Sequence, residues 1–256
     1  MLAPDELRAL VEEYLGGLVL TPELHGQAES VRYALEGGGK RVRPVLCLAT
    51  AEAAGADPED ALPAAAALEL VHSFSLVHDD LPALDDDELR RGRPSTWARY
   101  GEAVGILAGD ALLAEAFRLV LSYPTPHAGR ELAQATLGMI GGQYLDVTGE
   151  APDEETLHRL KTGALFSAAV GLGLWVAEVP EPKQPPWRAF GGEVGLLFQL
   201  VDDILDGDGY VLAHGAEAAR RAADETAEHA QAALAGIGAD TSVLAELVDG
   251  LKARTA

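Results

Sequence analysis

The sequence is short of cysteine, of aromatic residues and above all of positive charge. Its 256 residues include one cysteine, Cys47, so no disulfide can form within the chain, and a reducing compartment suits it. Aromatic side chains are 5% of the total although 48% of residues are hydrophobic, so Ala, Leu, Val and Gly must fill the core. Small, unbranched side chains of this kind favour closely packed helices. Only four of the 19 basic residues are lysines, against 41 acidic residues, and the net charge is −22. That balance argues against nucleic acid as a partner, because a phosphate backbone needs a basic surface. It leaves room for small phosphate ligands, which need only a local basic cluster or metal ions. The first residues are acidic and carry no signal-peptide pattern, and no apolar run is expected to reach the length of a membrane span. Stable membrane insertion is not expected, and a soluble, cytoplasmic protein is.

Helical spacing of apolar residues runs through what remains. Leu7, Leu10, Val11, Tyr14 and Leu15 mark a first helix, and Gly37-Gly38-Gly39 separates the next two. Long helices are predicted over Leu62–Leu81, Gly105–Leu121, Gly129–Val147, Glu154–Val176 and Trp187–Leu205. An Ala-rich helix, roughly Glu217–Leu234, is expected to be the last. No segment alternates as a strand bounded by hairpin turns. No linker interrupts the pattern, so residues 1–256 are expected to form a single all-α domain.

Two acidic clusters each end a strongly apolar helix: His78-Asp79-Asp80, followed by Asp85-Asp86-Asp87, and Asp202-Asp203, followed by Asp206. Carboxylates in apolar surroundings are costly unless paired or bound to metal. Asp202 and Asp206 are four residues apart and share a helix face. Asp79 and Asp85 are six apart and do not align on an ideal helix. Pro82 between them is expected to distort the helix and bring Asp85 into place. Oxygen ligands of this kind suit Mg²⁺. The scarce basic residues gather near these acids: Lys40, Arg41 and Arg43 after the glycine triplet, Arg90, Arg91 and Arg93 after the first cluster, and Lys161 beside Thr162. Arginine and lysine are the natural partners of diphosphate oxygens.

These pieces, in this order, resemble the trans-prenyltransferase (polyprenyl diphosphate synthase) family, closest to bacterial farnesyl diphosphate synthases. The motifs are Gly38-Gly39-Lys40-Arg41-Val42-Arg43-Pro44, Asp79–Asp85 with Leu89-Arg90-Arg91-Gly92-Arg93-Pro94, Ala108-Gly109-Asp110, Gly142-Gln143-Tyr144-Leu145-Asp146, Lys161-Thr162-Gly163 and Phe198–Asp206. The resemblance implies a helical bundle around a deep central cavity and, usually, a homodimer. It implies Mg²⁺ held by Asp79 and Asp85 from one side and by Asp202, supported by Asp206, from the other. Arg90 would hold an allylic diphosphate; Lys40, Arg43, His72 and Arg91 would hold isopentenyl diphosphate. Lys161, Thr162 and Gln199 would lie against the reacting cation or its leaving group. Phe74, about 7.5 Å deeper than Asp79 at 1.5 Å per residue, would act as the floor beneath the growing chain and set farnesyl diphosphate as product. Geranylgeranyl diphosphate is the alternative product. A noncatalytic subunit is a further alternative, because the lysine-bearing loop that the family carries after Asp206 is missing.

Overall fold

The computed structural model describes residues 1–255, and it is almost entirely helical. Thirteen α-helices follow one another: α1 (Pro4–Gly16), α2 (Gln27–Leu35), α3 (Val42–Ala53), α4 (Leu62–Asp79), α5 (Thr96–Tyr100), α6 (Glu102–Val120), α7 (His127–Thr148), α8 (Glu154–His158), α9 (Ala164–Val176), α10 (Pro185–Asp206), α11 (Tyr210–His214), α12 (Ala216–Ala235) and α13 (Ser242–Lys252). The helix α4 lies at the centre and packs against α3, α6 and α9. Its run Ala64-Ala65-Ala66-Ala67 is fully buried, so the neighbouring backbones can approach closely where larger side chains would hold them apart. Contrary to the expectation that no apolar run reaches the length of a membrane span, this helix and the turn before it, Pro58–Asp79, form a stretch long and apolar enough to cross one; 67% of the apolar window is buried inside the protein.

Four further expectations need correction. The Ala-rich helix is not the last, because α13 follows it and buries Val243, Leu244, Val248 and Leu251 against α12, α10 and α3. The predicted helix Glu154–Val176 is interrupted by a π-helical turn, Arg159–Gly163, between α8 and α9. A small hairpin does occur: Leu89–Arg90 pairs antiparallel with Arg93–Pro94. Its tip, Arg91-Gly92, has positive φ at both residues (54° and 75°), the backbone that a tight two-residue turn requires. Finally, Pro82 does not distort a continuing helix. The helix α4 stops at Asp79, three residues earlier, and the chain folds back so that the Asp85 N–H donates to the Asp79 carbonyl at 2.9 Å.

Candidate active site

The acidic motifs end α4 and α10, and each end has a local cause. At α10, Gly207 takes the left-handed conformation (φ 73°) and its N–H donates to the Asp203 carbonyl, a glycine-capped stop. Asp202 and Asp206 therefore sit in the last turn of α10, and Asp79 is the last residue of α4. Helix C-termini carry partial negative charge and normally attract cations. Carboxylates at both ends compound that charge, which fits a divalent cation as the missing partner. Burial pushes the Asp79 carboxyl up to about 6; Lys161 opposes the rise and Asp85 reinforces it. Burial also raises Asp202, against the pull of Arg254.

Two cavities meet beside these helix ends. The first, about 710 Å³, is lined by Lys40, Arg43, His72, Arg90, Arg91, Thr162, Gln199 and Asp202, joined by Arg8, which the sequence reading did not single out. The second, about 580 Å³ and largely apolar, is lined by Phe74, Ser75, Asp79, Met139, Ile140 and Lys161 among others. Arg43, His72, Leu76 and Thr162 border both. Asp85 and Asp206 line neither.

The cationic wall is assembled from three loops. In the first, Arg41 is turned inward: its guanidinium donates to Glu12 at 2.9 Å and to the Leu35 carbonyl at 2.9 Å, and pairs with the buried Glu69. That anchor, at a positive φ of 49°, leaves Lys40 and Arg43 facing the cavity. Arg43 stands 4.5 Å from the Phe166 ring, and its Nε is buried with no partner. A buried guanidinium N–H without an acceptor is uncommon and fits an anion that completes it. Burial lowers the Arg43 guanidinium to about 10. Burial and four surrounding arginines hold His72 well below the usual imidazole range, so it faces the cavity as a neutral hydrogen-bonding group. In the hairpin, Arg90 donates through Nε to Asp80 at 2.9 Å, pairs with the same carboxylate through Nη2, and lies 3.5 Å from Asp87.

The third loop is the π-helical turn. It places Thr162 so that its hydroxyl donates to the Gln199 side-chain oxygen at 2.8 Å, and Gln199 in turn donates to Asp203 at 2.7 Å. Lys161 pairs with Asp146. The turn lies so close to α7 that a Cβ on Gly142 would stand 2.5 Å from the Lys161 nitrogen, so only glycine fits there. Gly109 faces a side chain instead: a Cβ there would lie 2.1 Å from His78 Nε2, so the His78 ring would have to move.

The four proposed metal-binding aspartates are not preassembled into one cluster. Among the described residues, the set of three potential metal-binding side chains whose ligand atoms lie within 4.8 Å of one another is Glu154, His158 and Asp203. Asp203 is already engaged there by Gln199 and by the Tyr210 N–H at 3.0 Å. An open arrangement of Asp79, Asp85, Asp202 and Asp206 suits Mg²⁺, which keeps several waters and takes substrate phosphate oxygens as ligands. If Asp79 is a metal ligand, its raised carboxyl must lose its proton to bind a cation, and affinity should rise with pH through about 6. Mn²⁺ titrations are expected to show binding about tenfold weaker at pH 5 than at pH 7; equal affinity at the two values would separate Asp79 from the metal.

An all-helical bundle with two acidic helix ends, a cationic cavity and an adjoining apolar one defines a class of protein that handles diphosphates of apolar chains. The polyprenyl synthetase family profile matches residues 26–219, and the chain belongs to that family. It is 45% identical over 193 residues to a geranylgeranyl diphosphate synthase of Cyanophora paradoxa, covering 70% of this chain and 64% of that protein. It is 39% identical over 196 residues to a farnesyl diphosphate synthase of Bacillus subtilis, covering 71% and 66%. The chain thus spans about two thirds of the length of these curated relatives. Among solved structures, a geranyltransferase from Legionella pneumophila superposes with a TM-score of 0.85 at 31% identity, over 98% of this chain and 96% of that one. A geranylgeranyl pyrophosphate synthase gives 0.90 at 27% identity, over the whole of both chains.

Proposed function

We propose that the whole chain, residues 1–256, works as one prenyltransferase domain. It condenses isopentenyl diphosphate with an allylic diphosphate, dimethylallyl or geranyl, to give farnesyl diphosphate and diphosphate. The observation that carries this reading is the junction of the two cavities: one lined with cations for charged head groups, the other apolar for a hydrocarbon tail, with Arg43, His72, Leu76 and Thr162 between them. Magnesium bound by Asp79, Asp85, Asp202 and Asp206 would neutralise the departing diphosphate. Arg90 binds the allylic diphosphate, exchanging part of its pairing with Asp80 for phosphate oxygens. Lys40, Arg43, Arg91 and neutral His72 hold isopentenyl diphosphate with its double bond toward the allylic carbon. Lys161, Thr162 and Gln199 line the place where positive charge develops, and the Thr162–Gln199 hydrogen bond fixes their oxygens in advance of the reaction. The apolar walls keep water from the cation.

Phe74 supports farnesyl diphosphate as product. It is 7% exposed, borders the apolar cavity and is braced edge-on by His78, with ring centroids 5.0 Å apart. The similarity to geranylgeranyl diphosphate synthases favours a second reading in which the tail passes Phe74. Product analysis with Mg²⁺, geranyl diphosphate and labelled isopentenyl diphosphate distinguishes the two, and no turnover would favour the noncatalytic subunit. If Phe74 is the floor, Phe74→Ala shifts the main product to at least one isoprene unit longer; an unchanged product profile rejects that role.

The working form is proposed to be a cytoplasmic homodimer. Leu137 on α7 and Ile106 and Leu107 on the adjacent α6 are exposed apolar side chains outside the apolar cavity. A second copy is the occupant in keeping with the family.

A further inference from the structure

Beyond α10, basic side chains near the second acidic motif are few, and most are engaged elsewhere. Lys252 pairs with Asp224 at 2.8 Å, and Arg221 with Glu217 at 3.2 Å. Arg254 is different. The buried face of α13 fixes the start of a single 3₁₀ turn, Ala253–Thr255, and that turn delivers Arg254 to α10. Its Nη2 donates to Asp202 Oδ1 at 3.0 Å, and its guanidinium lies 5.7 Å from the Phe198 ring. Both partners are largely shielded, with side chains 21% and 34% exposed. The other terminal nitrogen, Nη1, is buried and has no hydrogen-bond partner among the described residues.

The two nitrogens point to a strained compromise. A guanidinium that satisfied only itself would keep Nη1 in water, where it loses nothing. Here it gives up that hydration to reach Asp202. The attraction that offsets the loss is the carboxylate at the negative end of α10, with Asp206 one turn further on. That is the charge a divalent cation would also seek. Lys40, on the same cavity, also draws on Asp202, but Arg254 is the cation that pairs with it directly.

We propose that Arg254 is a built-in competitor for the cation at Asp202: it neutralises this carboxylate in the metal-free protein, and metal binding displaces it and frees the Ala253–Thr255 turn. This rests on the reading of Asp202 as a metal ligand. By linkage the coupling is reciprocal, so whatever strengthens the arginine contact weakens the metal and the reverse.

The test is a titration of the full chain with Mn²⁺, following free ion by electron paramagnetic resonance, with hydrogen exchange over residues 242–255 as a second readout. Arg254→Ala and Arg254→Gln are expected to bind Mn²⁺ about fivefold more tightly than the unaltered protein. The glutamine keeps most of the side-chain volume, so a folding defect in the alanine variant cannot mimic the result. Arg254→Lys, which keeps the charge, should stay near the unaltered protein. Exchange in Ala253–Thr255 should rise on adding Mn²⁺ to the unaltered protein and should already be high in Arg254→Ala. Asp202→Asn should bind Mn²⁺ more weakly. Unchanged or weaker binding in both Arg254→Ala and Arg254→Gln, with binding weakened by Asp202→Asn, overturns the competition alone. Undiminished binding in Asp202→Asn overturns both the competition and the metal-ligand reading beneath it.

Discussion

Asp79→Ala and Asp202→Ala are each expected to lower turnover by about 10²–10³-fold, the range seen when one preorganised electrostatic contact to a developing charge is lost. The two residues stand on different helices and border different cavities. Asp79 closes α4 and borders the apolar cavity beside Lys161; Asp202 lies in the last turn of α10 and borders the cationic one. If both serve the same leaving group, the double variant should be little worse than either single one, because neither residue alone completes the site. The loss should fall mainly on kcat, since Lys40, Arg43, Arg90 and Arg91 remain to bind diphosphate. Steady-state kinetics at saturating Mg²⁺, alongside circular dichroism to verify folding, make the measurement. Turnover within a factor of about ten of the unaltered enzyme in both variants would remove these carboxylates from the ionisation step.

Gly142→Ala is the second large effect expected, and it acts through backbone rather than charge. A methyl group at this position would meet the Lys161 nitrogen at 2.5 Å and its Cα at 2.8 Å. Backbone atoms cannot rotate away as a side-chain end can, so α7 and the π-helical turn must separate. Overpacking of this kind costs about 1–3 kcal/mol. For a chain of this size each kcal/mol lowers Tm by about 2–4 °C. The same separation carries Lys161 and Thr162 away from Gln199, so activity should fall further than stability alone explains. Gly141→Ala is the matched control: nothing lies within 4 Å of its added carbon. Calorimetry and turnover measured on both variants decide the matter, and equal behaviour of the pair would refute the close approach.

Much of the bundle is legible in the sequence because helical spacing of apolar residues reports which faces are buried. Leu7, Val11 and Leu15, read as one stripe, are buried in α1. The gathering of cations is legible too, since Lys40, Arg43, Arg90 and Arg91 are scarce residues in an acidic chain and all border one cavity. Elements decided by contacts distant in sequence are not legible. The π-helical turn, Arg159–Gly163, sits within an otherwise continuous helical pattern, and the close approach of α7 to it at Gly142 is a contact between residues distant in sequence. The fold-back at Asp79 is not legible either, because Pro82 suggests a bent helix whereas α4 ends three residues before it. Arg254 gives no local signal at all: it is brought to Asp202 by the burial of α13, 52 positions away in the chain.

The four residues shared by the two cavities stand where an ionic chamber opens beside an oily one. Any change to Arg43, His72, Leu76 or Thr162 is felt on both sides, so head-group recognition and tail accommodation cannot be altered there separately. Phe74, Met139 and Ile140 border only the oily chamber. Substitutions among them can lengthen or shorten the tail space while the ionic machinery stays as it is. A division of this kind lets one scaffold drift between hydrocarbon lengths without rebuilding its chemistry, in keeping with relatives that bear the names of different chain-length synthases.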